Sequence, residues 1–248
     1  MSTQRFETIN DIVNQVAVET GMEPVTDVFA ANDFVFTQLT HLVTTCTQEL
    51  MELFDWQILV REHQIITQAG EIGDYDLPAD FGYMIPQTGW ERNENVPLMG
   101  PLSAQDWTYL LGRDLVGSTI YASFRYDQNK LRIFPNDPVT PNLNINFEYI
   151  SRNVIMIAGT DPVEYTDKSE NPGDTVLFPP HLIKRMLRMK FLDVKGFDSM
   201  KASEDFWQAL QSWKGKDNTA GILNASRWRY AMPYLGVGNF PSTNYGSQ

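Results

Sequence analysis

Few residues in this chain have the types and spacing that chemistry requires. Asp74, Asp76 and Asp80 fall at positions one, three and seven of a calcium-binding loop. Such a loop needs glycine at its sixth position and a bidentate glutamate at its twelfth; here those places hold Ala79 and Ile85, with Pro78 at the fifth. Solvated turn carboxylates are the expectation. Glu91 and Glu94, beside Trp90, have the residue types of a glycoside hydrolase, whose two carboxyl groups flank the sugar about 5 to 9 Å apart. Two glutamates in an exposed loop are the expectation. His63 follows Glu62, but no Gly-x-Ser-x-Gly elbow provides a nucleophile for it to activate. Cys46 lies on an apolar helical stripe, where a thiol behaves as core. The stretches VKGFDSMK and SWKGKDN lack the glycine spacing and preceding strand of a phosphate loop. The sequence therefore predicts no catalytic residue, no cofactor and no metal site.

Two clusters suit binding better. Lys184, Arg185, Arg188 and Lys190 share one predicted helix, and concentrated positive charge on an acidic chain fits docking onto an acidic partner, against the plainer reading of a solvated face. Arg227, Trp228, Arg229, Tyr230, Tyr234, Phe240 and Tyr245 occupy a C-terminal stretch punctuated by proline and glycine. Aromatics and arginines are enriched in interface hot spots, and left in water together they favour aggregation. The alternative is that this tail folds back on its own domain.

The elements that must position these residues follow from periodicity. Thr8 and Asp11 open a helix whose Ile9, Ile12, Val13, Val16 and Ala17 form one stripe, stopped near Gly21 and Pro24. A second helix begins near Asn32 and carries Leu39, Leu42, Val43, Cys46, Leu50, Leu53 and Phe54, with a polar threonine face opposite. Residues 57 to 67 read as one or two strands. Four prolines between Ile72 and Trp107 rule out a continuous helix there, and the large apolar groups of that seam predict packing onto a sheet. Ser103 caps a short helix through Trp107 to Gly112. YASFRY and LRIFP form a hairpin about Asp127–Lys130, and LNINFEYIS alternates, with Leu143, Ile145, Phe147 and Tyr149 on one face. Residues 159 to 175, rich in acids, are expected to be an exposed, mobile loop. Pro179 and Pro180 then open a third long helix closed by Gly196, and Ser203-Glu204-Asp205 open a fourth bearing Phe206, Leu210 and Trp213.

The predicted class is α+β: a helical bundle made from N- and C-terminal helices, an inserted antiparallel β-sheet or sandwich lobe, and an extended C-terminal tail. The boundaries are 1–55 for the first helical pair, 56–158 for the β lobe, 159–221 for the acidic loop and second helical pair, and 222–248 for the arm.

Composition narrows the function. Of the 248 residues 42% are hydrophobic and 20% charged, which is the balance of a folded chain. A formal charge of −12 opposes binding to phosphate backbones. One cysteine makes no internal disulfide, and the absence of a leader pattern or long apolar run predicts a soluble, unexported chain without membrane contact.

LPADFGYMIPQTGW, ERNENVPLMGPLSAQDW, FRYDQNKLRIFPNDP and INFEYISRN together resemble the tailed-phage head-to-tail adaptors, the tail tubular protein A-like neck proteins of short-tailed phages. The likeness spans roughly Leu77 to Asn153 and its motifs are those of a scaffold. It implies a structural virion protein, made in the host cytoplasm and placed in the neck. By family analogy twelve copies form a homo-oligomeric ring under the portal protein. The ring receives the tail nozzle protein and tail fibres, and DNA passes through its lumen during ejection without specific binding. A tail beyond Gly221 is longer than a compact adaptor needs, which suggests an arm gripping the portal or an adjacent subunit. From other classes, a carbohydrate-binding or fibre-attachment module would use Trp90, Trp107 and the aromatic sheet, and a glycan hydrolase would depend on Glu91 or Glu94.

Overall fold

The computed structural model describes residues 6–93, 95–112, 123–134, 141–160 and 162–217. The arm from 222 onward lies outside these residues, as do Glu94 and Asp161. The fold is of the mixed α+β class, with helices at both ends of the described chain and antiparallel strands between.

Helix α1 (Ile9–Glu19) starts where Thr8 accepts the Asp11 amide at 3.2 Å, and its stripe Ile9, Ile12, Val13, Val16 and Ala17 is buried as the spacing predicts. Asp33 caps α2 (Phe34–Leu53), which buries Leu39, Val43, Cys46 and Leu50. Its threonine face is less exposed than expected. Thr40 and Thr47 are buried, and their hydroxyls donate to the carbonyls of Thr37 and Thr44, so no polar group is stranded.

A 3₁₀ turn (Gln57–Leu59) leads into β1 (Val60–Ile66), and the seam supplies β2 (Asp74–Asp76), β3 (Phe81–Met84), β4 (Trp90–Glu91) and β5 (Val96–Pro97). Helix α3 (Ala104–Gly112) follows, with Ser103 Oγ accepting the Asp106 amide. Strands β6 (Ser123–Asp127) and β7 (Lys130–Phe134) form the predicted hairpin, with Gln128 in the left-handed region at φ 55°. Strand β8 (Asn144–Ser151) pairs antiparallel with β1 along one edge and with β3 and β4 along the other. A second sheet runs β2-β7-β6.

Leu143, Ile145, Phe147 and Tyr149 face the apolar core between these sheets, with Leu131, Ile133 and Phe124. Ile150, one residue on, turns to the opposite side and joins the helical core.

The acidic segment is mostly exposed, as expected, but it is anchored at both ends. Strand β9 (Ile155–Met156) pairs with both β10 (Tyr165–Thr166) and β11 (Thr175–Val176), so the segment carries two strands of a small three-stranded antiparallel sheet. Asp174 anchors one end: its side chain is buried and accepts the amides of Ala158, Asn171 and Glu170 at 3.1, 3.0 and 3.3 Å. Backbone carbonyls of Asp174 and Pro172 also take the Ile9 and Asn10 amides, which the first turn of α1 would otherwise leave unpaired. Low apolar content predicted exposure, which holds for most of the described segment, while Asp174 and Thr175 are buried where backbone hydrogen bonds tie the segment to α1.

Helix α4 (Pro180–Lys195) buries Leu182, Ile183, Met186, Leu187 and Phe191 and packs against α1, α2 and α5 (Met200–Asp217). Gly196, at φ 73°, ends it in a left-handed cap. The start of α5 precedes the predicted Ser203, because the Asp198 carboxylate accepts the Met200 amide at 3.0 Å. Trp56 sits at the centre of the helical core, its indole donating to the Leu50 carbonyl and its ring edge-on to Phe54 and Phe178.

Candidate interaction surfaces

The side chains with chemical potential are dispersed by the fold. Asp74 makes a two-point contact with the Arg132 guanidinium at 2.7 and 2.9 Å, and this pairing raises the arginine above its ordinary value. Asp76 faces Lys130 across the hairpin at 3.5 Å. Asp80 accepts the Tyr149 and Ser151 hydroxyls at 3.0 and 2.7 Å. The three aspartates thus serve three separate attachments, and among the described residues no group of three or more His, Cys, Asp or Glu is placed to hold a metal.

Glu91 is fully buried and accepts the amides of Asn93 and Asn144 at 3.1 and 3.0 Å, tying β4 to β8; the exposed-loop expectation is corrected for this residue. Glu62 accepts from Asn146, whereas His63 stands edge-on to Phe147 with its pKa lowered by burial, so the neighbours lie on opposite faces of β1. Burial pushes the Cys46 thiol up to about 12, consistent with a core cysteine. Trp107 is buried against Phe134, which withdraws it from any carbohydrate platform, and Trp90 is half-buried.

The basic cluster on α4 is brought together and answered from within the chain. Lys184 reaches Glu7 and Gln15, Arg188 lies 3.7 Å from Glu19, Lys190 lies 2.8 Å from Glu49, and Arg185 donates to the Asp205 carbonyl at 2.9 Å. These contacts lace α4 to its neighbours on all sides. Arg185 and Arg188 remain exposed beside His181, whose pKa is lowered by burial and then by Arg185, Lys216 and Lys184. The aromatic and arginine residues of the arm, Arg227 to Tyr245, lie outside the described residues.

Two surfaces escaped the sequence reading. Around the α4–α5 turn, Val194, Phe197 and Met200 are 53, 63 and 71% exposed, and Trp207 is half-exposed further along α5. Their signal was present: Val194 and Trp207 fall off the buried stripes of their helices. The other is a groove of about 790 Å³ between β3, the Leu98–Pro101 connection and β6. Its walls come from the proline-rich seam, where no periodicity marks a face.

No family model matches the chain, and no curated protein matches it significantly. Among the described residues no helix is long and apolar enough to cross a membrane.

Proposed function

We propose that the chain is a structural head-to-tail adaptor of a short-tailed phage virion, a ring of identical copies seated beneath the portal and joined below to the tail nozzle and fibres. In this reading the N- and C-terminal helices form a bundle that builds the ring, and the sheet layer adds contacts between subunits or towards the tail. The role is non-enzymatic, and DNA passes through a lumen whose acidity limits retention.

The observation that carries the proposal is the exposed apolar cluster of Val194, Phe197 and Met200 at the α4–α5 turn, with Trp207 nearby. Large apolar side chains gathered at one end of a helical layer suit a contact with a different surface of the next copy, and such heterologous contacts close rings. The resemblance of residues 77–153 to neck adaptors and the charge of −12 support the same reading. Exposed Arg185 and Arg188 are the described basic candidates for an acidic partner surface.

The test is the mass of the purified chain, alone and mixed with the portal of its virus, by native mass spectrometry. The expected result is a monomer that becomes a ring on the portal. A chain whose mass is indifferent to the portal would overturn the reading.

A further inference from the structure

We propose that the cleft between α1, α4 and α5 is a carboxylate-binding site that receives one acidic side chain of a partner protein. This deepens the acidic-partner contact of the reading above and rests on that contact, not on the ring.

The site is made by one face of α4 and its two neighbours. His181, Lys184, Arg185 and Arg188 follow the i, i+3, i+4, i+7 spacing along α4, which puts them on the same side of the helix. Gln15 and Glu19 from α1 and Ala202 and Asp205 from α5 close a cleft of about 310 Å³ around them. Lys190 is off this spacing and reaches Glu49 on α2 instead. The Trp213 indole donates to the His181 ring and holds that side of the cleft in place.

Two guanidinium groups in the cleft are left with donors for a ligand. Arg185 donates to the Asp205 backbone carbonyl at 2.9 Å, and Arg188 approaches Glu19 only to 3.7 Å, beyond hydrogen-bond length. Both arginines are exposed, whereas Lys184 is held by Glu7 and Gln15. The planar fork of a guanidinium matches the two oxygens of a carboxylate, and such bonds are stronger than neutral ones.

Charge selects the ligand class. The chain carries −12, yet the charged groups that act most on His181, namely Arg185, Lys216 and Lys184, are all positive and add to the lowering that burial causes. The potential in the cleft is therefore positive on an acidic molecule. Lys184, Arg185, Arg188 and Lys216 stand against Glu7, Glu19 and Asp205, so four cations and three carboxylates leave one positive charge. One added carboxylate neutralises that surplus, and a phosphate dianion exceeds it. A polyanion such as nucleic acid is opposed by the negative charge of the rest of the chain.

Nuclear magnetic resonance on the full chain tests the site, with a capped glycine–glutamate–glycine tripeptide, its glutamine counterpart and inorganic phosphate as probes. The glutamate tripeptide is expected to shift the His181 imidazole signals saturably at millimolar concentration, and the glutamine tripeptide to leave them in place. Arg185→Gln combined with Arg188→Gln is expected to raise the dissociation constant at least tenfold. Ala202→Asp fills the cleft with a carboxylate of its own while both arginines stay, and is expected to abolish the shift. An equal response to the two tripeptides, or a dissociation constant unchanged in either variant, would overturn the proposal, as would phosphate binding tighter than the glutamate tripeptide. Tripeptide binding by a chain that is indifferent to the portal would remove the ring reading and leave this site standing. Ring assembly on the portal without any response to the tripeptide would remove the site and leave the ring.

Discussion

Asp174 is almost fully buried with three backbone amides directed at its carboxylate, and two of them, from Glu170 and Asn171, belong to the turn that receives the first residues of α1. Hydrogen bonds to a charged group are worth more than neutral ones, and removing the acceptor leaves buried donors unpaired. Asp174→Ala is therefore expected to lower stability by about 2–3 kcal/mol, measured by urea denaturation. A loss below about 0.5 kcal/mol would mean that water reaches the amides and that the carboxylate is incidental. Glu91 has the same construction between β4 and β8, which gives this carboxylate a structural task in place of the hydrolytic one its type suggested.

At the scale of elements, α4 is the organiser of the helical part. Its buried stripe meets α1, α2 and α5, and Lys184, Arg188 and Lys190 extend to carboxylates on or before α1 and α2. Such partly exposed pairs contribute little energy each and act chiefly on the register of the packed helices. Gly196 matters more, since its φ of 73° lies where an L side chain is strained, while a Cβ there would meet nothing within 4 Å. Gly196→Ala is expected to cost about 1 kcal/mol from backbone strain alone, visible as a lowered urea midpoint with an unchanged slope. No loss of stability would show that the α4–α5 turn relaxes to a right-handed cap.

Across the whole molecule, β8 belongs to both halves: Ile145, Phe147 and Tyr149 face the core between the sheets while Ile150 joins the helical core. The two cores thereby share one strand. The exposed apolar turn lies away from these cores. Phe197→Ser combined with Met200→Ser is expected to leave the melting temperature within about 2 °C and, under the proposed ring reading, to abolish assembly on the portal. Full assembly by this double variant would show that the ring contacts lie elsewhere.

The helical stripes, the β6–β7 hairpin and the buried face of β8 were legible in the order of residues, because periods of 3.6 and 2 are properties of neighbouring residues. The core position of Cys46 and the extended seam were legible in the same way, since the stripe and the prolines act locally. The partners of Lys184 and Lys190, the burial of Asp174 and Glu91, and the groove at Met99 emerged from folding in three dimensions. Those outcomes depend on which distant backbone amides and carboxylates arrive beside a given side chain. Spacing along the chain carries no record of such encounters, so a charge that looked free to meet a partner was satisfied within the fold, while Val194 and Phe197 were left facing water.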